Sequence, residues 1–186
     1  VARLIVALMN IPQPWVLSTD RTEWSFGQTR FNVLMLGVVH NGVAYPLVWT
    51  MLGKKGNSNS DERMDLLDRF RQIFPDAEIA YLSGDREFVG KQWLTYLLIE
   101  PVISFRLRIK KSDRIGDGKK QLRASIVFAN LKPGQTQILS GRRWIWGHNF
   151  HDTFLKLPSS IRPGGLTTAP RIAGLTLLLP YLEQRN

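Results

Sequence analysis

Residues 15–27 read WVLSTDRTEWSFG. An apolar run, Trp15-Val16-Leu17, delivers Asp20 into a segment of charged and aromatic residues. The arrangement recurs further on, where Ile79-Ala80-Tyr81-Leu82 leads to Ser83-Gly84-Asp85-Arg86-Glu87-Phe88. Short apolar runs of this kind read as buried strands. Two strands that each end on a carboxylate can offer hard oxygen donors side by side, which suits Mg2+ or Mn2+. The same spacing also suits ordinary polar strand ends.

Outward from these two runs, the pattern of the first hundred residues is strand-rich and then helical. Residues 1–14 are apolar until Pro12 and Pro14 break them, as at the end of a helix. Residues 15–19 read as a first strand. Residues 30–39 form a near-continuous apolar run and read as a second strand buried on both faces. His40-Asn41-Gly42 is a turn, because Asn-Gly between apolar runs is a strong hairpin signal. Residues 43–52 complete an antiparallel meander. The polar stretch GKKGNSNS at 53–60 fails the spacing of a phosphate-binding loop. It reads instead as a loop that starts a helix, with Asn59 or Ser60 as cap and Glu62 three residues after Asn59. Met64, Leu67, Phe70 and Phe74 then recur at helical spacing up to Pro75. Residues 78–82 form a fourth strand, and residues 88–98 a second helix stopped by Pro101.

The period changes after Pro101. Ile103, Phe105, Leu107 and Ile109 alternate with Ser104, Arg106, Arg108 and Lys110, a half-buried strand with one cationic face. Residues 122–128, 136–139 and 142–146 read as further short strands of a small antiparallel sheet. From about residue 149 no period is visible, and residues 159–171 are rich in Pro, Gly and Thr.

Charge separates these parts. The 186 residues carry a net charge of +10 and a pI near 10.3. Residues 1–100 hold ten Lys/Arg against eleven Asp/Glu, a net of −1; residues 101–186 hold fifteen against four, a net of +11. A lobe so basic fits a polyanion, of which nucleic acid is the commonest. There is no cysteine, which excludes disulfides and thiolate metal sites. No apolar run approaches the roughly 20 residues of a membrane helix.

Several segments together are specific. Asp20-Arg21-Thr22-Glu23-Trp24, Asn32-Val33-Leu34, Pro46-Leu47-Val48-Trp49, Lys55-Gly56-Asn57-Ser58, Glu62-Arg63 and Gly84-Asp85-Arg86-Glu87-Phe88-Val89-Gly90 with Trp93 resemble the transposases of the insertion sequence 4 family. The resemblance is good over residues 10–111 and weakens to about residue 148. It implies an α/β fold: an RNase H-like core of three antiparallel strands, helix, strand and helix over residues 1–100, then a basic antiparallel β insertion over 101–148. Residues 149–186 are expected to be irregular. It implies a DDE-type DNA transposase in which Asp20 and Asp85 are catalytic and ligate Mg2+ or Mn2+. Arg21, Arg86 and Glu87 match the motifs around them. Arg86 is expected to orient a carboxylate or meet a phosphate, with a structural ion pair as the other reading. Arg106, Arg108, Lys110, Lys111, Arg142 and Arg143 are the expected DNA contacts. The implied partners are transposon-end DNA and, only in a complete chain, a second copy on paired ends, in the bacterial cytoplasm near the nucleoid, with no membrane.

One departure from the family is large. The third metal ligand is a Glu within a pattern of Tyr, two residues, Arg, three residues, Glu, six residues and Lys. Aligning Arg143 with that Arg puts Ser140, Gly147 and Phe154 at the Tyr, Glu and Lys positions. Asp152 and Glu183 are the remaining acids after Asp117, and neither has the right context. A partial reading frame, shifted after about residue 150, is the expectation that follows. Two other readings are an inactive remnant that at most binds DNA, and an RNase H-like nuclease unrelated to transposition. His148 and His151 lack a third ligand at metal-site spacing. Trp144 and Trp146 beside Arg142 and Arg143 suit either stacking on nucleic acid or an ordinary strand.

Overall fold

Trp15, Leu17 and Thr19 are buried, and Val16 and Ser18 between them are half-buried. That alternation starts a strand packed mainly on one face, and the first unit of the chain grows from it. The computed structural model describes residues 1–99, 102–131, 137–151, 154–157 and 174–178. These divide between two units, Val1–Ile103 and Ser104–Asn186. The protein is a mixed α/β chain, and no helix among the described residues is long and apolar enough to cross a membrane.

In the first unit, α1 (Ala2–Leu8) precedes β1 (Trp15–Phe26), β2 (Thr29–His40) and β3 (Val43–Met51). Helix α2 (Ser60–Ile73), β4 (Ile79–Gly84) and α3 (Lys91–Leu98) follow. The strand order is β4-β1-β2-β3. The meander is antiparallel, and β4 joins β1 in parallel. Asn41 and Gly42 both take positive φ, 49° and 78°, which the two-residue turn between β2 and β3 requires.

One face of this sheet is the core. Leu17, Leu34, Leu36, Val38 and Leu82 are buried with Leu66, Leu67 and Phe70 of α2 and Trp93, Leu94 and Leu97 of α3. Trp15 meets Phe70 and Phe74 edge-on at 6.3 and 5.1 Å. Helix α2 begins on the Asn59–Glu62 capping box: Glu62 N–H donates to Asn59 Oδ1 at 2.9 Å, and Asn59 N–H donates to Glu62 Oε2 at 2.8 Å. The opposite face carries Trp24, Phe26, Trp49 and Met51, all exposed, and Asp20 shares it through the register Asp20↔Met35↔Trp49. Strand β1 runs seven residues past its expected end at residue 19. This overhang pairs with β2 alone and carries the Trp24–Phe31 stack at 5.3 Å. Backbone pairing rather than burial holds it, so no core periodicity marks it.

The second unit holds β5 (Phe105–Ile109), β6 (Arg114–Gly116), β7 (Gln121–Arg123), α4 (Ala124–Val127), β8 (Arg142–Ile145), β9 (His148–His151), β10 (Phe154–Leu157) and β11 (Gly174–Leu178). Strands β10, β11 and β5 lie side by side, and β7-β6-β8-β9 form a separate sheet; every pairing is antiparallel. Phe105, Leu107, Ile109, Ile115, Phe128, Ile145 and Phe150 are buried, with Phe105 edge-on to Phe150 at 6.2 Å.

Three expectations for this unit change. Residues 122–128 are a strand only to Arg123 and then turn into α4, where Ala124 and Phe128 are buried four apart while Ile126 is exposed. Residues 137–140 contain no strand, and Thr136 lies outside the described residues. Within the segment expected to be irregular, 154–157 and 174–178 are the strands β10 and β11.

The packing predicts a contrast. Phe70→Ala removes a fully buried ring and should cost about 3–5 kcal/mol. Phe26→Ala, at a position 80% exposed, should cost no more than about 0.5 kcal/mol. Urea midpoints read by tryptophan fluorescence check both.

Candidate functional site

Parallel pairing of β1 with β4 ends at Thr19↔Gly84. Asp20 and Asp85 are the next residue on each chain. Neighbouring strands lie about 4.8 Å apart, so Asp20, still within β1, and Asp85, just past the end of β4, stand at one level on adjacent chains. Ser18 and Ser83, two residues earlier, are directly paired. Asp20 is exposed and Asp85 half-buried. Each carboxylate is turned by the same local contact: Asp20 Oδ1 accepts Arg21 N–H at 2.8 Å, and Asp85 Oδ1 accepts Arg86 N–H at 2.6 Å. The chain after Asp85 is anchored, because Phe88 is fully buried and its N–H donates to the Asp85 carbonyl at 2.9 Å.

Arg21 points to the other face and ties the two motifs together. Its Nε donates to Glu87 Oε1 at 3.0 Å and its Nη2 to Glu87 Oε2 at 3.3 Å. Nη1 donates to Glu23 and Asn32, both at 3.1 Å, and Nη2 reaches Asn57 at 3.3 Å. The hydrogen bond that it donates to Glu87 holds the Arg21 guanidinium above its ordinary pKa, against the opposing effect of burial. Asn32 is buried in β2 and donates both amide hydrogens onward, to the carbonyls of Lys54 (2.8 Å) and Gly56 (2.9 Å). Lys54 in turn pairs with Glu62 of the capping box at 2.9 Å.

Arg63 closes the network from α2. Its Nε donates to Ser58 Oγ at 2.9 Å, its Nη2 to the Ser58 carbonyl, and its Nη1 to the Val89 carbonyl at 3.3 Å. The guanidinium lies 5.3 Å from the centre of the Phe88 ring. Burial pushes the Arg63 pKa down, while Glu87 and Glu62 oppose that. The loop 53–60 therefore couples the start of α2 to both aspartate-bearing segments.

The structure brings Asp20, Asp85, Arg21 and Glu87 together. Arg86 is exposed; its backbone N–H orients Asp85, while the ion pair is made by Arg21 and Glu87. Asn32, Ser58 and Arg63 belong to the site's support without having been assigned a role from the sequence. The available signal was an Asn inside the apolar run FNVLMLGVV, where a buried amide needs partners. Among the described residues, no three His, Cys, Asp or Glu side chains converge as a metal-binding group. Asp152 and Glu183 lie outside the described residues.

The expected DNA contacts fall on the second unit in separate groups. Along β5, Arg106 is exposed and Arg108 half-buried, alternating with buried Phe105, Leu107 and Ile109; Lys110 and Lys111 follow, both exposed. Arg142 and Arg143 are successive strand residues and so take opposite faces of β8. Arg142 lines a cleft with Lys119 and Lys120, whereas Arg143 lines a hollow with Leu122, Val127 and Leu139.

The network makes a prediction. The Arg21 and Glu87 side chains are only 14% and 19% exposed, so Arg21→Met leaves Glu87 poorly solvated and should cost about 1–3 kcal/mol. Arg30→Met breaks the looser 3.5 Å pair with Glu23, in which Arg30 is 44% exposed, and should cost less than about 0.5 kcal/mol. Parallel urea titrations of the two variants check the ranking.

No protein-family model matches the chain, and a search of curated proteins gives no match either.

Proposed function

We propose that the chain carries the first two acids of a DDE-type DNA transposase of the insertion sequence 4 family, on a partial RNase H-like core. The observation that carries the reading is the position of Asp20 and Asp85, one residue beyond the last pair of parallel neighbours β1 and β4. The strand order β4-β1-β2-β3 with α2 in the crossover supports the fold half of it. The motif residues Arg21 and Glu87, which make the ion pair beside the two acids, support the family half.

The donor set fits Mg2+ or Mn2+. These ions take carboxylate oxygens and often use one or two carboxylates together with substrate phosphates. Asp20 and Asp85 would hold the ion, which would supply charge stabilisation at the phosphoryl oxygens. The chain's own part is positioning. The backbone N–H groups of Arg21 and Arg86 fix the two carboxylates, and the Arg21–Glu87 pair keeps β1 and the turn after β4 in register. Asp20 lies on the exposed sheet face, where a substrate as large as DNA can reach it. The basic second unit supplies cations for the phosphate backbone of transposon ends. The setting is bacterial cytoplasm.

The absence of a converging third acid among the described residues favours a second reading: a catalytically inactive remnant that at most binds DNA. Cleavage of transposon-end DNA in Mg2+ or Mn2+ separates the two. Under the enzyme reading the intact chain cuts, and Asp20→Ala and Asp85→Ala each lower the rate at least about 100-fold while leaving DNA affinity within about two-fold. An intact chain that binds the ends without cutting them is the remnant. Cleavage that survives the double substitution sinks the assignment of both acids.

A further inference from the structure

A cleft of about 580 Å³ opens on the β7-β6-β8-β9 sheet, lined by none of the residues assigned to the aspartate pair. Trp144, which is 41% exposed, lines it. The residue opposite Trp144 on one neighbouring strand is Gly116, and on the other Asn149. A Cβ at position 116 would stand 3.3 Å from Trp144 Cβ and 3.2 Å from Gln121 Cγ. Glycine there admits the close approach and places no side chain beside the indole.

Three cations line the same cleft as the indole. Lys119 and Lys120 are exposed on the turn between β6 and β7. Arg142, exposed two residues before Trp144, shares its strand face and lines the same cleft. The turn is tied internally: Asp117 Oδ1 accepts the N–H groups of Lys119 and Lys120, both at 2.9 Å, and Asp117 N–H donates to the Lys120 carbonyl at 3.2 Å. The Asp117 carboxylate, though in the cleft lining, is thus turned onto its own loop. Asn149 adds an amide with both donor and acceptor capacity.

A flat apolar ring, three cations and an amide lining one cleft match one ligand chemistry: an unpaired base with its flanking phosphates. Bases stack on exposed aromatic rings whatever their sequence, and lysines and arginines track the backbone. In a duplex both faces of each base are already covered by its neighbours. We propose that this cleft is a stacking site for single-stranded DNA, with Trp144 under one base, Asn149 at its edge, and Lys119, Lys120 and Arg142 at the phosphates. The proposal rests on DNA being the partner of this chain and not on the chemistry of Asp20 and Asp85.

The test uses the full chain in EDTA and fluorescence anisotropy of a labelled oligo(dT). Trp144→Ala should weaken binding about ten-fold. Trp144→Phe, which keeps an aromatic face, should stay within about three-fold of the parent and shows that the sheet tolerates replacement. Gly116→Val, which crowds the ring's flank, should weaken oligo(dT) binding as Trp144→Ala does. An abasic strand of equal length should bind the parent as weakly as oligo(dT) binds Trp144→Ala, and duplex binding should be unchanged by either Trp144 substitution. Lys119→Gln with Lys120→Gln should reduce the salt slope by about 1.4, at roughly 0.7 for each single-strand phosphate that the variant leaves unneutralised. Equal losses on abasic strand, duplex and oligo(dT), or no loss with Trp144→Ala, overturn the stacking site while leaving DNA as partner. Tighter binding of oligo(rU) than oligo(dT) overturns the DNA assignment in favour of RNA. A parent chain that binds no DNA of any form removes the proposed partner as well.

Discussion

The parallel pairing of β1 with β4 is the constraint on which the first unit rests. Parallel neighbours cannot be joined by a tight turn, so the chain must travel before it returns. Here it travels through β2, β3 and α2, and the journey builds the rest of the unit. Strands β2 and β3 widen the sheet, and α2 lays Leu66, Leu67 and Phe70 into the core. Only then does the chain re-enter beside β1, with Leu82 level with Leu17 and Gly84 level with Thr19. The two aspartates stand together because this register is met.

The network on the core-side face serves that register. A parallel pair that stops at Thr19↔Gly84 has no backbone ladder to fix what comes next. Arg21 and Glu87 supply a side-chain bond just beyond the stopping point, and Arg63 grips Val89 from the helix side. Glu23, Asn32 and Asn57 occupy Arg21's remaining donors, so the guanidinium is compensated on several sides rather than by one partner. Partly buried charge is tolerated on such terms.

Features whose cause is local could be read from the sequence. The Asn41-Gly42 turn needs only two residues' φ preferences, the Asn59–Glu62 box only a four-residue spacing, and the alternation from Phe105 to Ile109 only one packed face. Asp20 and Asp85 stood out because each ends an apolar run. What stayed hidden had distant causes. Nothing near Arg21 announces that its partner is Glu87, and nothing near Asn32 announces the carbonyls of Lys54 and Gly56. Residues 124–128 misled because Ala124, Ile126 and Phe128 alternate like a strand, whereas the chain buries Ala124 and Phe128 a helical turn apart. Strand β11 is five residues in Pro- and Gly-rich text, and its pairing with β5 rather than any local pattern makes it a strand.

The Arg21–Glu87 contact spans 66 positions along the chain. Bringing such distant segments together carries a loop-closure cost that only the finished meander and helix can offset. The aspartate pair therefore has no partly folded version: a chain with β1 to β3 formed but β4 undocked has Asp20 in place and no Asp85 beside it. Long-range closure of this kind is slow compared with hairpin formation. The two acids become a site only once β4 has paired with β1, so a chain without that pairing cannot present both of them together.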